Sequence, residues 1–289
     1  MPRPYRLLLV SNDKPESPEG IFLCGQMMGW GLWTEFSKLS HVTLEYQNAD
    51  APLTPHKVDC TLLHAYFQSP IFKEYAALRR MTRRVANLME IDLMPQVAQV
   101  DKNFTYLPIF NTTYIPFPCL KSLLDSSLPK QPGSVLFDHS WRGPRCWLPR
   151  LYDWFAPLAA TRKIGQLRRE EHEEHPVPGW IQSIPQSSYL DYLRATAPFE
   201  TFVMTHPGTY EHSVVDMAYR GIRVLVPQAG GTTFAPRDVV RSLNLETFST
   251  QAELMSLLAK PAPPAPRPEL FTDLSEVVHQ IDAYFQEVL

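Results

Sequence analysis

From residue 134 onward, short apolar runs alternate with helical patterns, and no other feature of the chain narrows its fold so far. Ser134 to Phe137, Lys163 to Leu167, Trp180 to Ile184, Thr201 to Thr205 and Val224 to Pro227 have the length and composition of buried strands. Trp147 to Leu158, Ser188 to Ala197, His212 to Arg220 and Arg237 to Leu243 carry helical periodicity. Strands joined through helices need right-handed crossovers, which predicts a parallel sheet covered on both faces. The first half follows the same plan less regularly, with strand Arg6 to Ser11, a polar loop Asn12 to Gly20, helix Gly25 to Phe36 and strand Val42 to Tyr46. Further strands are expected at Asp59 to His64, Arg84 to Leu88 and Thr113 to Phe117, with a helix over Phe72 to Met81.

At roughly 100 to 200 residues per domain, the 289 residues make two α/β domains facing across a cleft. The Pro-Gly cluster at Leu128 to Gly133 predicts the boundary, dividing the chain into 1–133 and 134–272. Pro261 to Pro268 is a stiff spacer. Beyond it Leu274, Val277, Val278, Ile281, Phe285 and Val288 trace one face of a closing helix, 273–289, with the N-terminal domain as one option for its docking. With 28 prolines against 12 glycines, the chain carries no Walker or Rossmann fingerprint. A net charge of -3, from 27 basic and 30 acidic residues, argues against a broadly basic duplex-DNA binder. Cys24, Cys60, Cys119 and Cys146 form no CxxC pair, which predicts reduced thiols and a cytoplasmic location. Leu7 to Val10 is too short for a signal-peptide core and no run approaches ~20 apolar residues, so no transmembrane segment is expected.

The segment richest in chemistry runs from Phe202 to Pro227. A buried strand ends at Thr205, the chain turns on Gly208, and a helix starts near Glu211. Free N–H groups at a helix start, with its positive dipole end, suit a phosphate or diphosphate. Thr209, Tyr210 and Ser213 can add hydroxyl hydrogen bonds. An ordinary strand-to-helix turn in a parallel sheet has the same pattern.

Here the chain resembles the carboxyl-terminal, donor-binding half of GT-B glycosyltransferases, over residues 134–245. As in that family, an acidic residue, Asp216, precedes Gly221 by five places ahead of a Val-Pro strand, and Ile184 to Ala197 looks like the nucleobase-side loop and helix. The chain departs from the pattern with Asp for the usual Glu at 216, with Glu211 and Asp216 five apart rather than eight, and with Arg223 where Pro is common. The resemblance implies two facing Rossmann-like domains, the N-terminal one on the acceptor side, and a nucleotide-sugar donor as co-substrate with no other cofactor; no metal is expected, because neither the histidines nor the cysteines stand at ligand spacing. It also implies that Asp216 bonds the ribose hydroxyls and that Ile184 flanks the base. His206, Gly208, Thr209, Tyr210, Glu211, His212 and Ser213 would surround the diphosphate, held by the amides of 211–213. Arg142 and Arg145, after the first strand of this half, are candidates to neutralise the leaving diphosphate or are surface arginines.

An acceptor hydroxyl attacking an anomeric carbon with inversion must lose its proton to a carboxylate or imidazole within hydrogen-bond reach. Asp13 and Glu19 lie just past the first strand, where open α/β sheets place ligands, and are the candidate catalytic bases. Asp13, Glu16 and Glu19 around two prolines equally fit a solvated loop, and His64 is a further candidate that also fits a structural strand-end histidine. Glu170-Glu-His-Glu-Glu-His175 fails the His-Glu-x-x-His zinc spacing. Lys73, Arg79, Arg80, Arg83 and Arg84 line a helical pattern that is either a solvated face or a peripheral basic patch. The expected function is glycosyl transfer to a hydroxyl of a glycan, small molecule, protein or modified DNA, the last as in phage-type DNA glucosyltransferases. A nucleotide-sugar epimerase on the same scaffold, or a non-catalytic nucleotide or sugar-phosphate binding module, are the alternatives.

Overall fold

The structure, a computed structural model, describes residues 2–12, 14, 16–21, 24–55, 57–65, 69–89, 100–106, 112–138, 148–167, 177–185, 187–205, 212–228 and 237–289. Its first elements are β1 (Tyr5–Ser11), α1 (Cys24–Ser37), β2 (Val42–Asn48), β3 (Val58–His64), α2 (Tyr75–Met81), β4 (Thr82–Met89), β5 (Lys102–Thr105) and β6 (Thr113–Tyr114). Then follow β7 (Gln131–Phe137), α3 (Leu148–Phe155), β8 (Ile164–Leu167), β9 (Ile181–Ile184), α4 (Tyr189–Thr196) and β10 (Phe199–Val203). The last are α5 (His212–Tyr219), β11 (Arg223–Pro227), α6 (Arg237–Ser242), β12 (Glu246–Phe248), α7 (Gln251–Ala259) and α8 (Leu274–Val288). They fall into two units, Met1–Leu120 with Thr272–Leu289, and Lys121–Phe271.

In the first unit every strand is parallel, in the order β2-β1-β3-β4-β5-β6. Leu8 and Val10 of β1, Leu63 of β3 and Val85 of β4 form a buried cluster with Leu78 of α2, each such burial contributing about 1.5–3 kcal/mol. α8 belongs to this unit although it comes last in the chain. It buries Leu274, Val277, Val278, Ile281 and Phe285, and Asp273 and Glu276 close a capping box at its start. Gly31 lets α1 approach it, because a Cβ at that position would lie 2.4 Å from Leu274 Cδ2. Asp282 of α8 accepts from the Tyr5 hydroxyl at 2.7 Å, and His41 Nε2 lies 2.9 Å from the same oxygen.

The second sheet is also wholly parallel, in the order β12-β11-β10-β7-β8-β9. Numbered from β7, this is the 3-2-1-4-5-6 order of a dinucleotide-binding sheet. Val135, Phe137, Phe155, Ile164, Val203, Leu225 and Phe248 share its core. Gly165 leaves room for the Phe199 ring, whose Cζ would be 2.4 Å from a Cβ there.

Three expectations are corrected. The strand expected over Thr113 to Phe117 stops at Tyr114: Ile115 N–H still donates to the Thr105 carbonyl at 2.8 Å, but Pro116 has no N–H with which to continue. The Pro-Gly turn taken for a domain boundary lies inside β7. Gly133, at φ 73°, donates its N–H to Glu200 Oε2 at 2.6 Å where the pairing of β7 with β10 shifts register, so this is a bulge and not a linker. The chain leaves the first unit after Leu120 and returns at Thr272, next to a parallel bridge between Cys119 and Asp273. The helical pattern expected to run through all the arginines carries only Arg79 and Arg80, because α2 ends at Met81 and Arg83 and Arg84 stand on β4. No helix among the described residues is long and apolar enough to cross a membrane.

Candidate functional site

Where the strand order of an open parallel sheet reverses, the connections leave neighbouring strands toward opposite faces and a crevice opens at their carboxyl ends. In the second unit that place is between β7 and β10, and in the first it is between β1 and β3. β7 ends at Phe137, and the following Asp138 N–H donates to the Val203 carbonyl of β10 at 3.1 Å. β10 leads through Thr205 toward α5.

Behind this edge lies a set of unanswered polar atoms. Asp216, on α5, is 1% exposed. Its Oδ2 accepts from the Tyr189 hydroxyl of α4 at 2.6 Å, while its Oδ1 has no hydrogen-bond partner among the described residues. Thr205 Oγ1, just past β10, and Ser213 Oγ, on the first turn of α5, are also buried without a partner among the described residues. A buried polar atom left unpaired costs roughly 1–3 kcal/mol, so three of them in one strand-helix unit suit a polar guest. In the first unit, Ser11 Oγ and both amide atoms of Asn87 are likewise buried without a partner among the described residues.

Burial pushes the Asp216 carboxyl up to about 7, against the Tyr189 hydrogen bond and the Arg220 charge, which both lower it. Arg220 ties α5 to α4: its Nη1 donates to Thr196 Oγ1 at 2.8 Å and its Nη2 to the Leu193 carbonyl at 2.6 Å. Gly221, at φ 69°, accounts for the five-place spacing in structural terms. The Ile222 N–H donates to the Met217 carbonyl at 2.9 Å and the Gly221 N–H to the Ala218 carbonyl at 3.0 Å, a left-handed cap that closes α5.

Of the residues expected at a donor site, Asp216, His212 and Ser213 come together on α5. Ile184 ends β9 and is buried. Glu19 lies exposed in a 3-10 turn, Pro18–Gly20. Asp13, Arg142, Arg145, His206, Gly208, Thr209, Tyr210 and Glu211 lie outside the described residues, as does the run 170–175. His64 is buried with Nδ1 at 3.2 Å from the Leu88 carbonyl. Two residues that the sequence did not single out matter here. Tyr189 meets Asp216 across 27 positions of chain. Lys14, beside Asp13, holds its Nζ 4.8 Å over the Trp33 ring and 5.6 Å over that of Tyr46. Of the arginines, Arg79 pairs with Asp101 at 2.6 Å, Arg83 lies 3.9 Å from Asp59 and Arg84 donates to the Val288 carbonyl at 3.4 Å.

Two parallel-sheet α/β units of six strands each, with a terminal helix at Leu274–Val288, define a fold of the GT-B type. No protein-family model and no curated protein matches the sequence. Among solved structures the chain is similar to S. aureus MnaA bound to UDP, with a TM-score of 0.59, 10% identity, and 97% of this chain and 96% of that chain covered. It is also similar to the Methanocaldococcus jannaschii UDP-GlcNAc 2-epimerase in complex with UDP-GlcNAc and UDP, at TM-score 0.59 and 10% identity, covering 96% of this chain and 99% of that one. Anabaena Alr3699/HepE in complex with UDP-glucose gives TM-score 0.56 and 12% identity, over 97% of this chain and 95% of that one.

Proposed function

We propose that this chain is a glycosyltransferase that moves a sugar from a nucleotide-sugar donor to an acceptor hydroxyl, with the donor at the β7/β10 edge of the second unit. The observation that carries the reading is the Asp216 carboxyl, buried and grasped through one oxygen while the other has no partner among the described residues. A ribose hydroxyl is the donor that such an oxygen lacks. Ile184 then flanks the base, the segment from His206 through Gly208, Thr209, Tyr210 and Glu211 into His212 and Ser213 receives the diphosphate, and Arg142 and Arg145 neutralise the charge that develops on it. In the transfer, the acceptor oxygen bonds to the anomeric carbon, the bond from that carbon to the diphosphate oxygen breaks, and the acceptor proton passes to Asp13 or Glu19 in the loop after β1. A cytoplasmic site of action fits the scattered thiols, and burial pushes that of Cys60 up to about 12.

The test is calorimetry with UDP, GDP and ADP sugars, followed by a donor-hydrolysis screen. One nucleotide sugar is expected to bind, to leak slowly to water, and to lose at least tenfold in affinity in Asp216→Asn; unchanged affinity removes the ribose role. Epimerisation is the second reading, favoured by the likeness to UDP-GlcNAc 2-epimerase. Product analysis with donor alone separates the two, since only an epimerase returns an isomeric nucleotide sugar without an acceptor. Tight binding with neither product leaves a binding module.

A further inference from the structure

The transferase reading leaves Tyr189 without a task, although its hydroxyl lies against the one carboxylate that reading depends on. Tyr189 occupies the first position of α4, where the Ser188 side chain caps the helix by accepting from Asp191 N–H. Its ring lies against that of Tyr192, with centroids 6.1 Å apart and planes 22° from parallel. Arg220, fastened to Thr196 and Leu193, holds α4 in register with α5. The hydroxyl therefore meets Asp216 from a braced helix, and its 2.6 Å bond selects which oxygen of the carboxylate is left over.

We infer that Tyr189 is a positioning residue for the donor: by donating to Oδ2 it fixes the Asp216 carboxylate with Oδ1 turned to receive a ribose hydroxyl, and it holds that carboxylate in its charged form. The inference rests on the donor reading of Asp216 and adds to it the group that sets its working pH. A hydroxyl bonded to the charged carboxylate favours ionisation, and so does the cation of Arg220, while burial opposes both. The groups that act on the carboxylate are Tyr189 from α4 and Arg220 just past the end of α5; Tyr192 from α4 acts on Arg220, and His212 stands one turn earlier on α5. Asp125 acts through Arg220, and Arg220 in turn acts on Lys130, both in the segment before β7. The directed hydrogen bond to Oδ2 comes from Tyr189.

The experiment is calorimetric binding of UDP, GDP and ADP, each with its 2′,3′-dideoxy analogue, to the full chain from pH 5.5 to 9. It compares the parent, Asp216→Asn, Tyr189→Phe and the double variant. Subtracting the dideoxy analogue removes the titration of the diphosphate itself. The ribose-dependent part of binding is expected to rise through pH of about 7 in the parent. In Tyr189→Phe its midpoint moves up by about one unit, so that affinity falls about fivefold at pH 7 and recovers by pH 9. In the Asp216→Asn background the same change has no further effect. A parent that binds none of the three nucleotides, or an Asp216→Asn variant with parental affinity, removes the donor reading and this role with it. If Asp216→Asn weakens binding while Tyr189→Phe keeps the parental midpoint, or if Tyr189→Phe loses affinity equally at every pH and in both backgrounds, the positioning role alone is overturned.

Discussion

At Asp216 the chain keeps a side chain that lowers its stability, and the sign of that effect can be worked out. The carboxyl ordinarily titrates at 3.8 and in the fold at about 7, so between those values the folded chain holds a proton that the unfolded chain has released. Stability that is complete below the lower value is lost as pH rises through the upper one, by at most about 4 kcal/mol. Asp216→Asn removes this titration while leaving an acceptor for Tyr189. Scanning calorimetry is expected to show a higher Tm for the variant at pH 8, at roughly 2–4 °C per kcal/mol regained, and none of that gain near pH 4. An equal shift at both pH values would mean that burial of charge is not its source. Asp216 was legible in the sequence because helix periodicity and the capping Gly221 fix where it stands on its helix. Its partner was not, because the meeting with Tyr189 depends on which strands of the sheet become neighbours, and no local spacing encodes that.

Elements were legible where they carry their own apolar run or period. β1, β3, β7 and β11 are such runs, and α8 announces itself by Leu274, Val277, Val278, Ile281 and Phe285, all buried. β5 and β12 escaped because Lys102-Asn-Phe-Thr105 and Glu246-Thr-Phe248 each offer one aromatic residue among polar ones, and only pairing with a neighbouring strand makes them extended. How α8 is held was equally silent. Asp282 lies on its buried face as an acceptor for Tyr5 and near His41, residues 277 and 241 positions earlier. Removing the acceptor in Asp282→Ala leaves the largely buried Tyr5 hydroxyl unpaired, at a cost of roughly 1–3 kcal/mol. Hydrogen exchange is expected to quicken along α8 and at the start of β1 and to stay at parental rates in α5. Unchanged protection of α8 would show that its apolar stripe alone secures it.

At the scale of the whole chain the two units are built differently. The second is one continuous stretch, Lys121–Phe271, with its own sheet and core, whereas the first is assembled from Met1–Leu120 and Thr272–Leu289. Turn chemistry points to Gly133 as the change of domain, but the division depends on Cys119 meeting Thr272 and Leu274, a pairing visible only in three dimensions. Continuity has a functional corollary, because every residue proposed to hold the donor lies within that single stretch. A fragment of residues 121–271 therefore keeps its own core and, on the proposed reading, every donor-binding residue, while it lacks Asp13, Glu19 and the rest of the unit proposed to hold the acceptor. It is expected to melt cooperatively by circular dichroism, to bind the same nucleoside diphosphate as the full chain within about tenfold, and to transfer no sugar. Cooperative melting without nucleotide binding would move an essential part of the donor site into the other unit, and the assignment of roles between the units would have to be redrawn.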